Sequence, residues 1–144
     1  MTKADMIVME ARSWLGTPFA WGQRCKGVGV DCAQLIYACL EAAGLKLGDT
    51  MVYSRDVDLI ARVEAVLSEH CQEVPVSEMV AGDIIVIRTR ALPQHGGICI
   101  GNGEAIHAAT VTGGDSSGHA KGSVVKLPLS DQWMGRIHKV YRYV

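Results

Sequence analysis

Three side chains in this sequence have types and spacings suited to acyl transfer: Cys32, His95 and His107. Cys32 stands directly after a glycine-rich segment, at the start of a helical pattern. Unpaired backbone N–H groups and the positive end of the helix dipole favour negative charge there, which predicts a thiol pKa lowered toward a reactive thiolate. The same N–H groups, that of Cys32 included, would hold the oxyanion formed when a thiolate attacks a carbonyl. Cys39, two turns later on the same stripe, lacks such surroundings and reads as core. The stripe alone also fits a packed, inert Cys32, so its partners must decide.

The partners lie on a predicted hairpin. Strand alternation puts His95, Gly97 and Cys99 on one face of its first arm, with Gly96, Ile98 and Ile100 on the other. On the return arm Ala105, His107 and Ala109 oppose Ile106 and Ala108. A face of Gly, Cys and Ala lets a helix approach closely. The sequence therefore predicts that the helix opening at Cys32 packs on the histidine face and presents its sulfur there. A three-residue turn, Gly101-Asn102-Gly103, sets His95 opposite Ala109 and makes His107 its diagonal neighbour, roughly 7–8 Å away. A two-residue Asn102-Gly103 turn would put the histidines on opposite faces unless a bulge intervened. The catalytic reading thus predicts the three-residue turn. His70, His119 and His138 have no comparable context; His70 reads as a helix-end residue and His119 as part of a polar loop.

The elements that must position these groups read as helices first and strands later, the α+β pattern. Thr2 and Asp5 fit a capping box ahead of a helix ending at Gly16. Thr17 to Val30 is a glycine-bearing loop. Asp31 caps the second helix, whose Cys32, Leu35, Ile36, Cys39, Leu40 and Ala43 recur at i, i+3, i+4, i+7, with Gly44 as its stop. A third helix is predicted from about Val57 to Leu67, with Asp56 as cap. Strands follow at Ile84 to Ile87, His95 to Ile100, Ala105 to Ala108, Val124 to Leu127 and Ile137 to Tyr143, with a polar loop from Thr110 to Gly122.

At 144 residues, with no internal repeat and no linker, the chain is expected to form one domain over 1–144. The net charge of −1 gives phosphate little to bind, so nucleic acid is not an expected partner. The first apolar run, Met6 to Met9, is too short for a secretory core or a membrane span, and no membrane insertion is expected. The expectation is synthesis and retention in the cytoplasm unless a partner carries the protein out. Five cysteines without a C-x-x-C pair argue against a disulfide framework and a zinc ribbon. No cofactor or metal is called for.

Taken together, the segments resemble the NlpC-type cell-wall peptidases, cysteine enzymes with a papain-like fold. Gly16-Thr17-Pro18-Phe19-Ala20-Trp21-Gly22 resembles that family's opening motif, Gly29-Val30-Asp31-Cys32 its nucleophile motif, and His95 to Ala108 its hairpin. The resemblance runs over roughly residues 5–110 in the family's order. It implies N-terminal helices packed on a C-terminal antiparallel half-barrel. It also implies a Cys-His-His set of Cys32, His95 and His107, and a substrate among peptidoglycan peptides, often cut between D-glutamate and diaminopimelate. Asp31 would be a helix cap that can also meet a substrate amine, and Trp21 a substrate-binding residue.

The departures bear on specificity. Phe19 replaces a tyrosine, Gln23 a glycine, and Ala33-Gln34 the usual Ser-Gly. Gln23 or Gln34 could supply an oxyanion donor. The segment from Arg24 to Cys32 is similar to tail-associated members found in phages, which would make phage tail or other delivery proteins the partners. Two other readings stay open: a structural tail subunit with little activity, and an amidase or acyltransferase acting on another substrate.

Overall fold

The computed structural model describes residues 1–47, 59–89, 92–111 and 121–144. The predicted Asp56 cap and His119 lie outside them, as does most of the polar loop that begins at Thr110. Helix α1 spans Lys3–Ser13 and opens on the expected capping box, with Thr2 and Asp5 each accepting from the other's backbone N–H. Helix α2 spans Cys32–Ala42, and all of its residues from Cys32 to Leu40 are buried. It ends in a Schellman arrangement: Gly44 N–H donates to the Glu41 carbonyl and Leu45 N–H to that of Leu40. Helix α3 spans Leu59–His70 and buries Ile60, Val63 and Leu67 as the pattern predicts.

A short ribbon of β1 (Arg24–Cys25) and β2 (Gly29–Val30) lies in what reads from sequence as pure loop. The main sheet holds β3 (Gln72–Val74), β4 (Ile84–Thr89), β5 (Leu92–Gly101), β6 (Glu104–Val111), β7 (Lys121–Pro128) and β8 (Ile137–Arg142). Its order is β3-β8-β4-β5-β6-β7, and every pairing is antiparallel. One-turn helix α4, Asp131–Met134, links β7 to β8 and is capped by Ser130. β3 and α4 have no counterpart in the sequence reading, because three- and four-residue elements carry too few side chains to show a period.

The sheet divides the core. One face carries Ile84, Val86, Ile98, Ile100, Ile106 and Ala108 against the helices. The other carries Ile85, Ile87, Ala105, Leu127 and Val140, with Trp133 and Ile137 beside them. Helix α2 packs on the first, aliphatic face, where a Cβ on Gly96 would lie 2.8 Å from Ile36 Cδ1. This corrects the expectation that α2 covers the histidine face: the branched side chains of Ile98 and Ile106 offer the helix more apolar area than glycine and alanine do.

Two further connections set the site. Gly16 N–H and Phe19 N–H donate to the Val124 and Gly122 carbonyls, and Val124 N–H donates back to Thr17, so residues 16–19 run along the outer edge of β7. Between β8 and β4, Arg142 forks onto the buried Asp83 carboxylate at 2.9 and 3.0 Å and fixes the turn before β4.

Candidate active site

The hairpin comes first because it carries both imidazoles. Asn102 and Gly103 have φ of 55° and 72°, and Gly101 pairs with Glu104 across them. This is the two-residue turn, not the predicted three-residue one. A bulge between Cys99 and Gly101 then returns the strands to the pairing that a three-residue turn would give, Cys99 with Ala105 and Ile98 with Ile106. His95 and His107 therefore share a face after all. Their rings meet edge to face with centroids 4.8 Å apart, and His95 Nε2 lies 2.6 Å from His107 Nδ1.

The β5–β6 ladder ends at Ile98 and Ile106. Cys99 N–H donates to the Asp83 carbonyl on the β4 side, so by alternation the amide of Gly96 points the other way, toward β6. With no β6 partner there, it lies close enough to the sulfur of Cys32 to favour the thiolate. The sulfur is thus seated at the split between two strands. That is how a helix on the aliphatic face brings its first residue to imidazoles carried on the opposite face.

Cys32, His95 and His107 line one cavity of about 280 Å³, walled by Phe19, Trp21, Ala108, Ala109, Thr110 and Trp133. Phe19 and Trp21 pack edge to face at 4.9 Å, and Trp133 stands 6.3 Å from the His107 ring. Asp31 is fully buried; one carboxylate oxygen accepts from Gln34 N–H at 2.8 Å, capping α2, and the other from Gly22 N–H at 2.7 Å. Gln23 is exposed and Gln34 is buried in α2, and neither reaches the cavity wall. Trp133 was not found from sequence; the signal was Ser130-Asp131 just ahead of it, a cap for a turn too short to show periodicity.

Electrostatics also corrects the sequence reading. Burial pushes the Cys32 thiol up to about 12, with the Asp31 carboxylate adding to the rise. The N–H groups of Ala33, Cys32 and Gly96 work in the opposite direction and do not prevail. Desolvation outweighs the helix terminus because the sulfur is almost fully enclosed. Burial, and then the neighbouring His107, lowers His95 to about 3, while burial lowers His107 to about 4. Each of these shifts favours the uncharged form, a thiol and two neutral imidazoles.

A profile of the NlpC/P60 family matches residues 16–130, and the chain belongs to that family of cell-wall peptidases. No curated protein matches the sequence. Among solved structures, it is similar to a hypothetical invasion protein of Mycobacterium tuberculosis, at 23% identity and TM-score 0.64, over 98% of this chain and 62% of that one. It is similar to an NlpC/P60 family protein of Bacillus cereus at 22% identity and TM-score 0.67, over 97% and 40% of the two chains. NlpC1 of Trichomonas vaginalis gives 19% and 0.66, over 99% and 44%. The chain spans less than two thirds of each of these proteins. The likeness is one of fold, and the fold is the papain-like α+β arrangement.

Proposed function

We propose that this protein is a cysteine peptidase or amidase that hydrolyses peptide bonds in peptidoglycan stem peptides, with Cys32 as nucleophile. The observation that carries the reading is the gathering of Cys32 and the hydrogen-bonded pair His95–His107 on one cavity wall. His95 Nε2 is engaged by His107, so Nδ1 is the nitrogen left to take the thiol proton. That requires the tautomer in which His95 Nε2–H donates to His107 Nδ1. As the sulfur attacks the carbonyl, its proton passes to His95 Nδ1, and the imidazolium that forms is held by its bond to His107. The N–H groups around the sulfur are in place to stabilise the charge developing there and on the carbonyl oxygen. His95 then protonates the leaving amine, and water cleaves the thioester with His95 as base.

Because the resting pair is neutral, chemistry couples proton transfer to attack; it does not start from a standing thiolate. The acid limb of kcat/KM is therefore expected well below 6.5, since His95 stays neutral, and able to accept the proton, down to about 3. Mass spectrometry of purified peptidoglycan should show new peptide fragments with the wild-type protein and none with Cys32→Ala. Equal release by both proteins would end the assignment. Fragments of a different bond class would instead retain the chemistry and replace the substrate.

A further inference from the structure

A charge that the reaction does not use is stacked on one wall residue of the cavity. Trp133 lines the cavity beside His107, and the guanidinium of Arg136 sits over its ring, 5.1 Å from the centroid. Arg136 is exposed, and among the described residues no carboxylate lies within ion-pair distance of it. Arg24, Lys26, Lys139 and Arg142 have acidic partners, whereas Arg136, like Arg12 and Lys126, has none within ion-pair distance among the described residues. The described residues lining the cavity bring no fixed charge of their own.

We infer that Arg136, held on Trp133, is a specificity-determining residue that binds a carboxylate on the amine-side half of the substrate. The inference deepens the proposed hydrolase reading and rests on it. The leaving amine takes its proton from His95, so that half of the substrate must extend over the imidazoles. This is the side of the cavity where Trp133 stands. An aromatic ring beneath a guanidinium restrains the planar fork and leaves its outer N–H edge free to face a carboxylate in two parallel hydrogen bonds. A peptide whose amine-side residue carries a carboxylate near the scissile bond meets that requirement, and its carboxamide does not.

The test uses two peptides that differ only in that group, carboxylate or carboxamide. Titrated into the full-length Cys32→Ala protein, the carboxylate peptide should bind about five- to tenfold more tightly, and the gap should narrow between 50 mM and 500 mM salt as screening grows. Arg136→Gln in the same background should bring the two affinities together, and Arg136→Lys should keep part of the gap. In the active protein the Arg136→Gln loss should fall on KM for the carboxylate peptide and not on kcat. Equal binding of the two peptides, or a preference that survives Arg136→Gln, overturns the inference. Cleavage of both peptides with no such preference does so while leaving the hydrolase reading intact. Failure to cleave either peptide or peptidoglycan strikes that reading instead, which the binding comparison does not require.

Discussion

The two ends of the β5–β6 hairpin are built from the same strands and do opposite things. At the turn end, Ile98 and Cys99 pair with Ile106 and Ala105, the bulge closes the register, and each strand satisfies the other. At the open end the ladder has stopped, the Gly96 amide faces a sulfur, and His95 and His107 bond through their side chains. The difference teaches that backbone pairing and a reactive centre compete for the same groups. A site for chemistry appears where the sheet leaves its hydrogen bonds open to something else.

If the open end holds the chemistry, the largest effect belongs to His95→Ala. Hydrolysis should fall by roughly 10²–10⁴-fold, the range for loss of a general base, with the circular dichroism spectrum unchanged. Activity within tenfold of wild type would show that the open end is only a gap. Acid should be felt next. His95 and His107 take up protons near pH 6.5 in the unfolded chain but only near 3 and 4 in the folded one. Between those limits the unfolded state binds more protons, so stability is kept above about pH 6.5 and lost as pH falls through that window. The slope is at most about 1.4 kcal/mol per pH unit for each histidine. Urea unfolding at pH 7 and pH 4.5 measures it, and His95→Gln combined with His107→Gln should flatten it. An equal midpoint at both pH values in the wild type would refute the burial argument.

The smaller effects separate the two ends. Gly96→Ala places a methyl 2.8 Å from Ile36 Cδ1 and 3.1 Å from the Ile85 carbonyl. It should cost about 1–3 kcal/mol and lower activity by more than the stability loss explains, because its amide would move off the sulfur. Gly103→Ala meets no atoms within 4 Å but must adopt a φ of 72°, so it should cost only about 1 kcal/mol. Its KM and kcat should stay at the wild-type values. A Gly103→Ala protein as impaired in catalysis as Gly96→Ala would erase the distinction between the ends.

Much of this arrangement was legible in the residues. The caps at Thr2 and Asp31, the stripe of α2, the stop at Gly44 and the shared face of the two histidines each rest on a local pattern. The structure then brings Cys32, His95 and His107 to one cavity. What was not legible depends on three-dimensional context. The turn type was misread because the bulge at Ile100 compensates for it, and a bulge leaves no trace in hydrophobic alternation. The packing face of α2 was misread because small residues suggested close approach, whereas area favoured the isoleucines. The thiolate expectation weighed the helix terminus but had no measure of enclosure. Trp133 and Arg136 belong to a stretch too short to carry a period.

The run of residues 16–19 along β7 has a consequence for the protein's birth. The loop that leads into Cys32 is stitched to a strand made well after it, with Gly16 and Phe19 donating to Val124 and Gly122. On the ribosome Cys32 therefore emerges long before its anchorage does. A nascent chain should carry an unsettled Cys32 site until β7 has folded back, so that the cavity is complete only once that strand has been made.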